Sequence, residues 1–487
     1  MSSTSAPERD VNGPEPDLRR VMGPKLLLLF IVGDILGTGV YALTGAVAGE
    51  VGGAAWAPFL VAFLVATVTA FSYLELVTRY PQAAGAALYT HKAFGIHFFT
   101  FLVAFTVMCS GITSASTASY AFADFMNTGL SLDLPKGGVT LMVLSLGFMT
   151  LVAAINFRGV GESVKANVVL TLVEVSGLLM VILIGLYAVT QGNADFSRVV
   201  VFDSPSDKGT FLAISTAAAL AFFAMVGFED SVNMAEECME PKRDFPKMML
   251  TGLGITGTIY ILVSITAVAL VPVGKLTAED ADSALIQVVA AGAPDLPFDE
   301  IFPFIAMFAV ANSALINMLM ASRLLYGMAN AGVLPRPLGR VHPSRRTPWV
   351  SILFTTLLAF GLIIYVVRAN ATTGGAENIT LLGGTTSLLL LCVFTVVNVA
   401  LLVIRRRPYG DAESREHFRA PRILPWIGAI SCAFLAGPWA RSSEQYEQYR
   451  IALILLAVGI VLWVIAWFTT RGQGDRTIDR DLSRLDT

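Results

Sequence analysis

The chain is a succession of apolar runs long enough to cross a bilayer. Twelve can be drawn, at about residues 24–48, 54–79, 97–126, 139–156, 164–190, 210–236, 248–272, 300–330, 348–368, 379–404, 421–440 and 450–470. Spanning the hydrocarbon takes about 20 residues of helix. In lipid each backbone polar group must find its partner within the structure, so runs of this kind fold as helices. The expectation is an all-α membrane protein with about 12 transmembrane helices. The runs use up most of the 487 residues, and only 14% of the chain is charged. No sizeable soluble domain and no nucleic-acid partner are expected; the bilayer is the surrounding medium.

Basic residues set the orientation. With both tails and the even-numbered connections on one side, only Lys136, Arg198, Lys208, Lys275, Arg368, Arg441 and Arg450 fall on the other, leaving 26 of the 33 Lys and Arg together. That bias places both termini in the cytoplasm of a multi-pass cell-membrane protein. Arg405-Arg406-Arg407 is the sharpest marker, read as a stop signal touching lipid headgroups. Polar residues 1–23 and 471–487 read as cytoplasmic tails, the first one disordered. Cys109, Cys238, Cys392 and Cys432 have no pairing or metal-binding spacing, and no cofactor or metal is expected. The mildly apolar stretch 276–294 is too short to cross and is a lid candidate by position.

Two runs carry residues that a plain membrane helix avoids. In the first, Gly33-Asp34-Ile35-Leu36-Gly37-Thr38-Gly39 puts three glycines and a carboxylate at mid-bilayer. In the sixth, Phe222-Phe223-Ala224-Met225-Val226-Gly227-Phe228-Glu229-Asp230 does the same. Backbone that leaves the helix at this depth survives where it lines a cavity or is buried in protein, although glycines also serve close helix packing. Each interrupted run opens a block of five. Paired interruptions of this kind point to inverted repeats, since an odd number of spans per repeat turns one half over relative to the other. The expected organisation is a core over 24–404, made of repeats 24–190 and 210–404 with broken helices 1 and 6, and two peripheral helices over 421–470.

These motifs resemble the amino acid, polyamine and organocation transporter superfamily. Gly33 to Tyr41 is similar to its first-helix signature; Tyr73-Leu74-Glu75-Leu76, Tyr80-Pro81 and Gly85-Ala86-Ala87-Leu88-Tyr89 to its second helix and following loop. Phe223 to Glu229, Ala235-Glu236-Glu237 and Pro241 to Pro246 follow its sixth-helix pattern. The resemblance implies a five-plus-five inverted-repeat fold and an amino acid substrate. Its carboxylate would be held by the amides of Gly37, Thr38 and Gly39, and its ammonium by the carbonyls of Ile35, Phe223 and Val226. Phe223 is the gate candidate. Ser110, Ser114, Asn312, Ser313 and Asn317 are polar candidates for the side-chain pocket, with helix-to-helix hydrogen bonding as the competing role.

Some proton-coupled relatives carry a fifth-helix lysine where this chain has Glu174. Three ionised, unpaired acids at mid-membrane would each cost about 3 kcal/mol. Asp34, Glu174 and Glu229 are therefore candidates for proton coupling, with Glu229 foremost. The leading expectation is a proton-coupled secondary amino acid transporter. A polyamine or other organic-cation transporter is the alternative, and a non-transporting amino acid receptor is the alternative of another class. The four histidines, His91, His97, His342 and His417, form no dyad or metal motif, so an enzyme is not expected. The sequence is silent on oligomeric state.

Overall fold

The computed structural model describes residues 22–470 apart from 82–84, 136–137, 159, 204–208, 278–282, 331–333, 346, 370–374, 408–416 and 442. Residues 1–21 and 471–487 of the two tails lie outside the described residues, as do Lys136 and Lys208, whereas Met22, read as part of the first tail, is buried and its carbonyl accepts the Met239 N–H at 3.1 Å. The described secondary structure is helical: α1 Pro24–Ile35, α2 Thr38–Val51, α3 Trp56–Arg79, α4 Gly85–Phe94, α5 His97–Gly129, α6 Val139–Arg158, α7 Val160–Thr190, α8 Gly209–Ala221, α9 Pro241–Leu270, α10 Val273–Leu276, α11 Ala284–Gly292, α12 Phe298–Asn330, α13 Trp349–Ala369, α14 Gly375–Ile404, α15 Leu424–Ala436 and α16 Glu447–Thr470. Eleven described segments are long and apolar enough to cross a bilayer, with α1–α2 forming one of them and α8 with its continuation another. The protein is an all-α, multi-pass membrane protein. Where 421–440 reads as a span, the structure has the 13-residue α15 followed by a 3-10 turn, Pro438–Ala440. At 1.5 Å per residue that helix covers about 20 Å, short of the hydrocarbon thickness.

Long α12 packs along α5, α14 lies against α5 and α15, and α9 packs on α1 and α3. Small and hydroxylated residues let these helices approach. On α5, Thr113 shares a hydrogen bond with Thr386 of α14 at 2.7 Å, and Ser119 donates to the Ser145 carbonyl at 2.7 Å. Without a hydrophobic drive between helices in lipid, such packing and cross-helix bonds supply the association.

Arg405 departs from its headgroup reading. Its Nε donates to Glu75 Oε1 at 2.9 Å and its Nη2 to Glu75 Oε2 and the Ala420 carbonyl, while the Ala420 N–H donates to the same carboxylate. Glu75 is buried on α3, so this bidentate pair clasps the end of α14 and the chain beyond it onto α3. Arg407 donates to the Lys92 carbonyl at the end of α4. Of the lid candidate 276–294, residues 278–282 lie outside the described residues; the rest contains α11, most of whose residues are buried, and Ser283 Oγ just before it donates to the Tyr41 carbonyl at 2.9 Å.

Candidate functional site

Both interrupted runs leave the helix where their glycines stand. α1 ends at Ile35, Leu36 and Gly37 form a two-residue break, and α2 begins at Thr38. α8 ends at Ala221 and gives way to a 3-10 turn over Phe222–Met225; Val226 is extended, Gly227 has φ +127°, and a second 3-10 stretch runs over Asp230–Glu237. The two breaks touch. A β-carbon on Gly227 would sit 2.7 Å from the Asp34 carbonyl carbon and oxygen, and one on Gly39 would sit 2.4 Å from the Ala224 Cα. At Gly227 glycine answers both the positive φ and the close approach.

A cavity opens between them, lined by Asp34, Ile35, Gly37, Thr38, Gly39, Ser114, Phe223, Val226, Gly227, Asp230, Ser313 and Asn317. All six residues expected to bind substrate therefore line this cavity, and Asp34 lines it with them. Several backbone groups freed by the breaks have protein partners, as buried backbone requires. Thr38 N–H donates to Ser313 Oγ at 3.1 Å, and the Ile35 carbonyl accepts the Tyr260 hydroxyl at 2.5 Å. A ligand ammonium at Ile35 would use the second lone pair of that oxygen. The Phe223 carbonyl accepts the Val226 N–H at 3.4 Å.

Phe223 also meets α14. A β-carbon on Gly383 would lie 3.3 Å from the Phe223 ring, so the ring is held between the cavity and that helix. Phe222 and Phe228 point elsewhere, into an aromatic cluster with Phe394 at centroid distances of 5.8 and 5.3 Å. Of the polar candidates, Ser114, Ser313 and Asn317 reach the cavity. Ser110 turns back to the Val107 carbonyl, and Asn312 donates to Asn167 Oδ1 at 3.1 Å.

The three coupling candidates occupy different places. Asp34 is on the wall, 6% exposed, with neither carboxyl oxygen hydrogen-bonded. Glu229 is off the wall, and its Oε2 accepts the Gly227 N–H at 2.9 Å, satisfying a donor the break sets free. Glu174 is fully buried away from the cavity with both oxygens unbonded, and the Tyr41 hydroxyl donates to its backbone carbonyl at 2.8 Å. Asp230, absent from the expected set, also lines the cavity, and among the described residues no Lys, Arg or His does. Among the described residues no group of three or more His, Cys, Asp or Glu is placed to hold a metal ion.

A polar cavity between two interrupted helices inside a helical membrane bundle is the architecture of a membrane permease, and the family of the chain agrees. The chain belongs to the amino acid permease family, whose model matches residues 24–469, and with it to the superfamily its motifs resemble. It is 26% identical to the methylthioribose transporter of Bacillus subtilis, over 92% of this chain and 93% of that protein. The branched-chain amino acid permease of the same organism is 25% identical, over 86% and 88%. Cationic amino acid transporter 9 of Arabidopsis thaliana is 30% identical over 67% of this chain and 58% of its own length.

Proposed function

We propose that this permease is a secondary transporter of amino acids across the cell membrane, working by alternating access around the two breaks and driven by protons. The carrying observation is that the two breaks meet at one buried cavity, with Gly37, Thr38 and Gly39 on one side and the Phe223–Val226 turn on the other. Backbone N–H groups at the start of α2 suit a carboxylate, and carbonyls at the ends of α1 and α8 suit an ammonium. Two of the three relatives bear names of amino acid transporters, which supports this class. In this reading repeats 24–190 and 210–404 form the moving core, 421–470 lies outside it, both termini are cytoplasmic, and Phe223 gates the cavity toward α14. An amine without a carboxylate is the second reading, favoured by Asp34 and Asp230 on the wall.

Glu229 takes up the driving proton in this account, since its carboxylate is bonded to the break itself and its protonation would alter the Gly227 backbone. Uptake under an imposed pH gradient, compared with exchange at equal pH and with or without sodium, tests it. Glu229→Gln keeps an acceptor for Gly227 N–H and is expected to lose gradient-driven accumulation while exchange persists. Undiminished accumulation by the variant removes Glu229 from coupling, and strict sodium dependence of the natural protein overturns the proton account. Full activity toward the amine alone, with none toward the amino acid, overturns the substrate class.

A further inference from the structure

A buried serine on a membrane helix has one proton to give, and its own helix offers it a carbonyl one turn back. Ser110, Ser116, Ser264 and Ser322 take that carbonyl, while Ser72 and Ser387 donate across to Asn398 and to the Ala219 carbonyl. Ser313 on α12 does neither. Its Oγ is an acceptor, taking the Thr38 N–H at 3.1 Å, and among the described residues its own proton has no acceptor. The residue is 3% exposed and lines the cavity. A β-carbon on Gly37 would lie 2.0 Å from this oxygen, so the hydroxyl fills the space that glycine leaves open at the break. A second hydroxyl with no partner belongs to Thr38 itself, 1% exposed and lining the same cavity. Two buried O–H groups at one helix start, neither with an acceptor, are matched by an anion.

We infer that Ser313 binds the substrate's α-carboxylate: its Oγ accepts the Thr38 N–H and donates its own O–H to the anion, so that α12 completes the site begun at Gly37. This rests on the amino acid reading above and deepens it. The Thr38 amide then acts on the carboxylate through Ser313, since hydrogen bonds in a chain polarise one another and a hydroxyl that accepts from a helix-start N–H is the better donor. The competing role is a plug, in which the hydroxyl stands in the carboxylate's place while the site is empty and yields it when substrate arrives. The two roles differ in sign. Removing a plug frees the Thr38 amide and tightens binding of the anion, whereas removing a relay weakens it.

The test uses purified full-length protein. Alanine, leucine, lysine and glutamate are ranked by the rise each gives in thermal midpoint, and the best is carried forward beside its own α-amide, which keeps the ammonium and side chain but not the anion. Competition against the labelled amino acid gives the acid-to-amide affinity ratio. Ser313→Ala is expected to lower that ratio about tenfold, the scale of one hydrogen bond to a charged group. Ser313→Thr keeps the hydroxyl and is expected to recover part of it. Ser322→Ala, which removes a back-bonded hydroxyl from the same helix, is expected to leave it unchanged. The ratio is read within one preparation, so a uniform loss of folded protein does not mimic the effect. A ratio unmoved or raised by Ser313→Ala, or no higher in Ser313→Thr than in Ser313→Ala, overturns the inference and leaves the amino acid reading intact. An amide bound as well as the acid by the natural protein, or no binding of any of the four, overturns the amino acid reading and the inference with it.

Discussion

The contact between the breaks is the account's most exposed structural claim, and Gly39→Ala probes it with one atom. The added β-carbon would lie 2.4 Å from the Ala224 Cα, 2.8 Å from its nitrogen and 2.7 Å from its Cβ. Two of these are backbone atoms, so no rotamer change relieves the clash. The segments must separate by about 1 Å to restore an ordinary carbon contact near 3.5 Å. Overpacking of this kind costs about 1–3 kcal/mol. If that cost falls on the conformation in which the breaks meet around substrate, affinity drops by about 5-fold to 150-fold. Gly254→Ala is the matched control, since its added β-carbon meets nothing within 4 Å on α9, where alanine is the better helix former. The assay is thermal stability with and without substrate, alongside exchange rate. Gly39→Ala is expected to lower both the midpoint and its ligand-induced rise, whereas Gly254→Ala holds or gains stability. Equal behaviour of the two variants would show that the two breaks do not pack against each other at Gly39 and Ala224.

Gly37→Ala should destabilise through one hydroxyl, because its β-carbon would lie 2.0 Å from Ser313 Oγ but 3.2 Å from Ser313 Cβ; Ser313→Ala in the same chain should recover part of the lost thermal stability, the rest staying lost because the buried Thr38 N–H is left without its acceptor. Glu75→Gln should cost about 2–4 kcal/mol by leaving Arg405 without its charge partner, and Arg405→Met in the double variant should recover part of that loss, as a double-mutant thermal-stability cycle would read. Phe223→Ala should speed exchange and weaken substrate retention if the ring closes the cavity toward Gly383, whereas Phe222→Ala, in the cluster with Phe394, should act on stability; a retained-substrate assay after rapid dilution separates them.

Much of the site was legible because its signals break local rules. Gly37, Gly39 and Gly227 stand where a membrane helix needs none, and a single chain can show that. The freed amides and carbonyls followed from the break, but their partners did not. Ser313 on Thr38 is 275 residues away in sequence and Tyr260 on Ile35 is 225, and such pairings are set by packing alone. The same distance hid the Glu75–Arg405 clasp, so the basic cluster read as a headgroup contact. Ser110 and Ser114 share a helix face, yet Ser110 satisfies its own turn and only Ser114 reaches the cavity. Asp230 was missed by one residue. In the turn after Gly227, Glu229 bends back onto the break and its neighbour faces the cavity, a reversal that α-helical spacing does not forecast. The sign available was simply a second acid inside an apolar run.

The central claim is that two facing breaks form a turnover site, and counterflow measures turnover directly. Proteoliposomes loaded with unlabelled amino acid and diluted into labelled amino acid at equal pH should accumulate label transiently, faster than protein-free vesicles and in proportion to the protein present. Saturable binding of the same amino acid with no accumulation of label would leave a receptor and contradict the transport account.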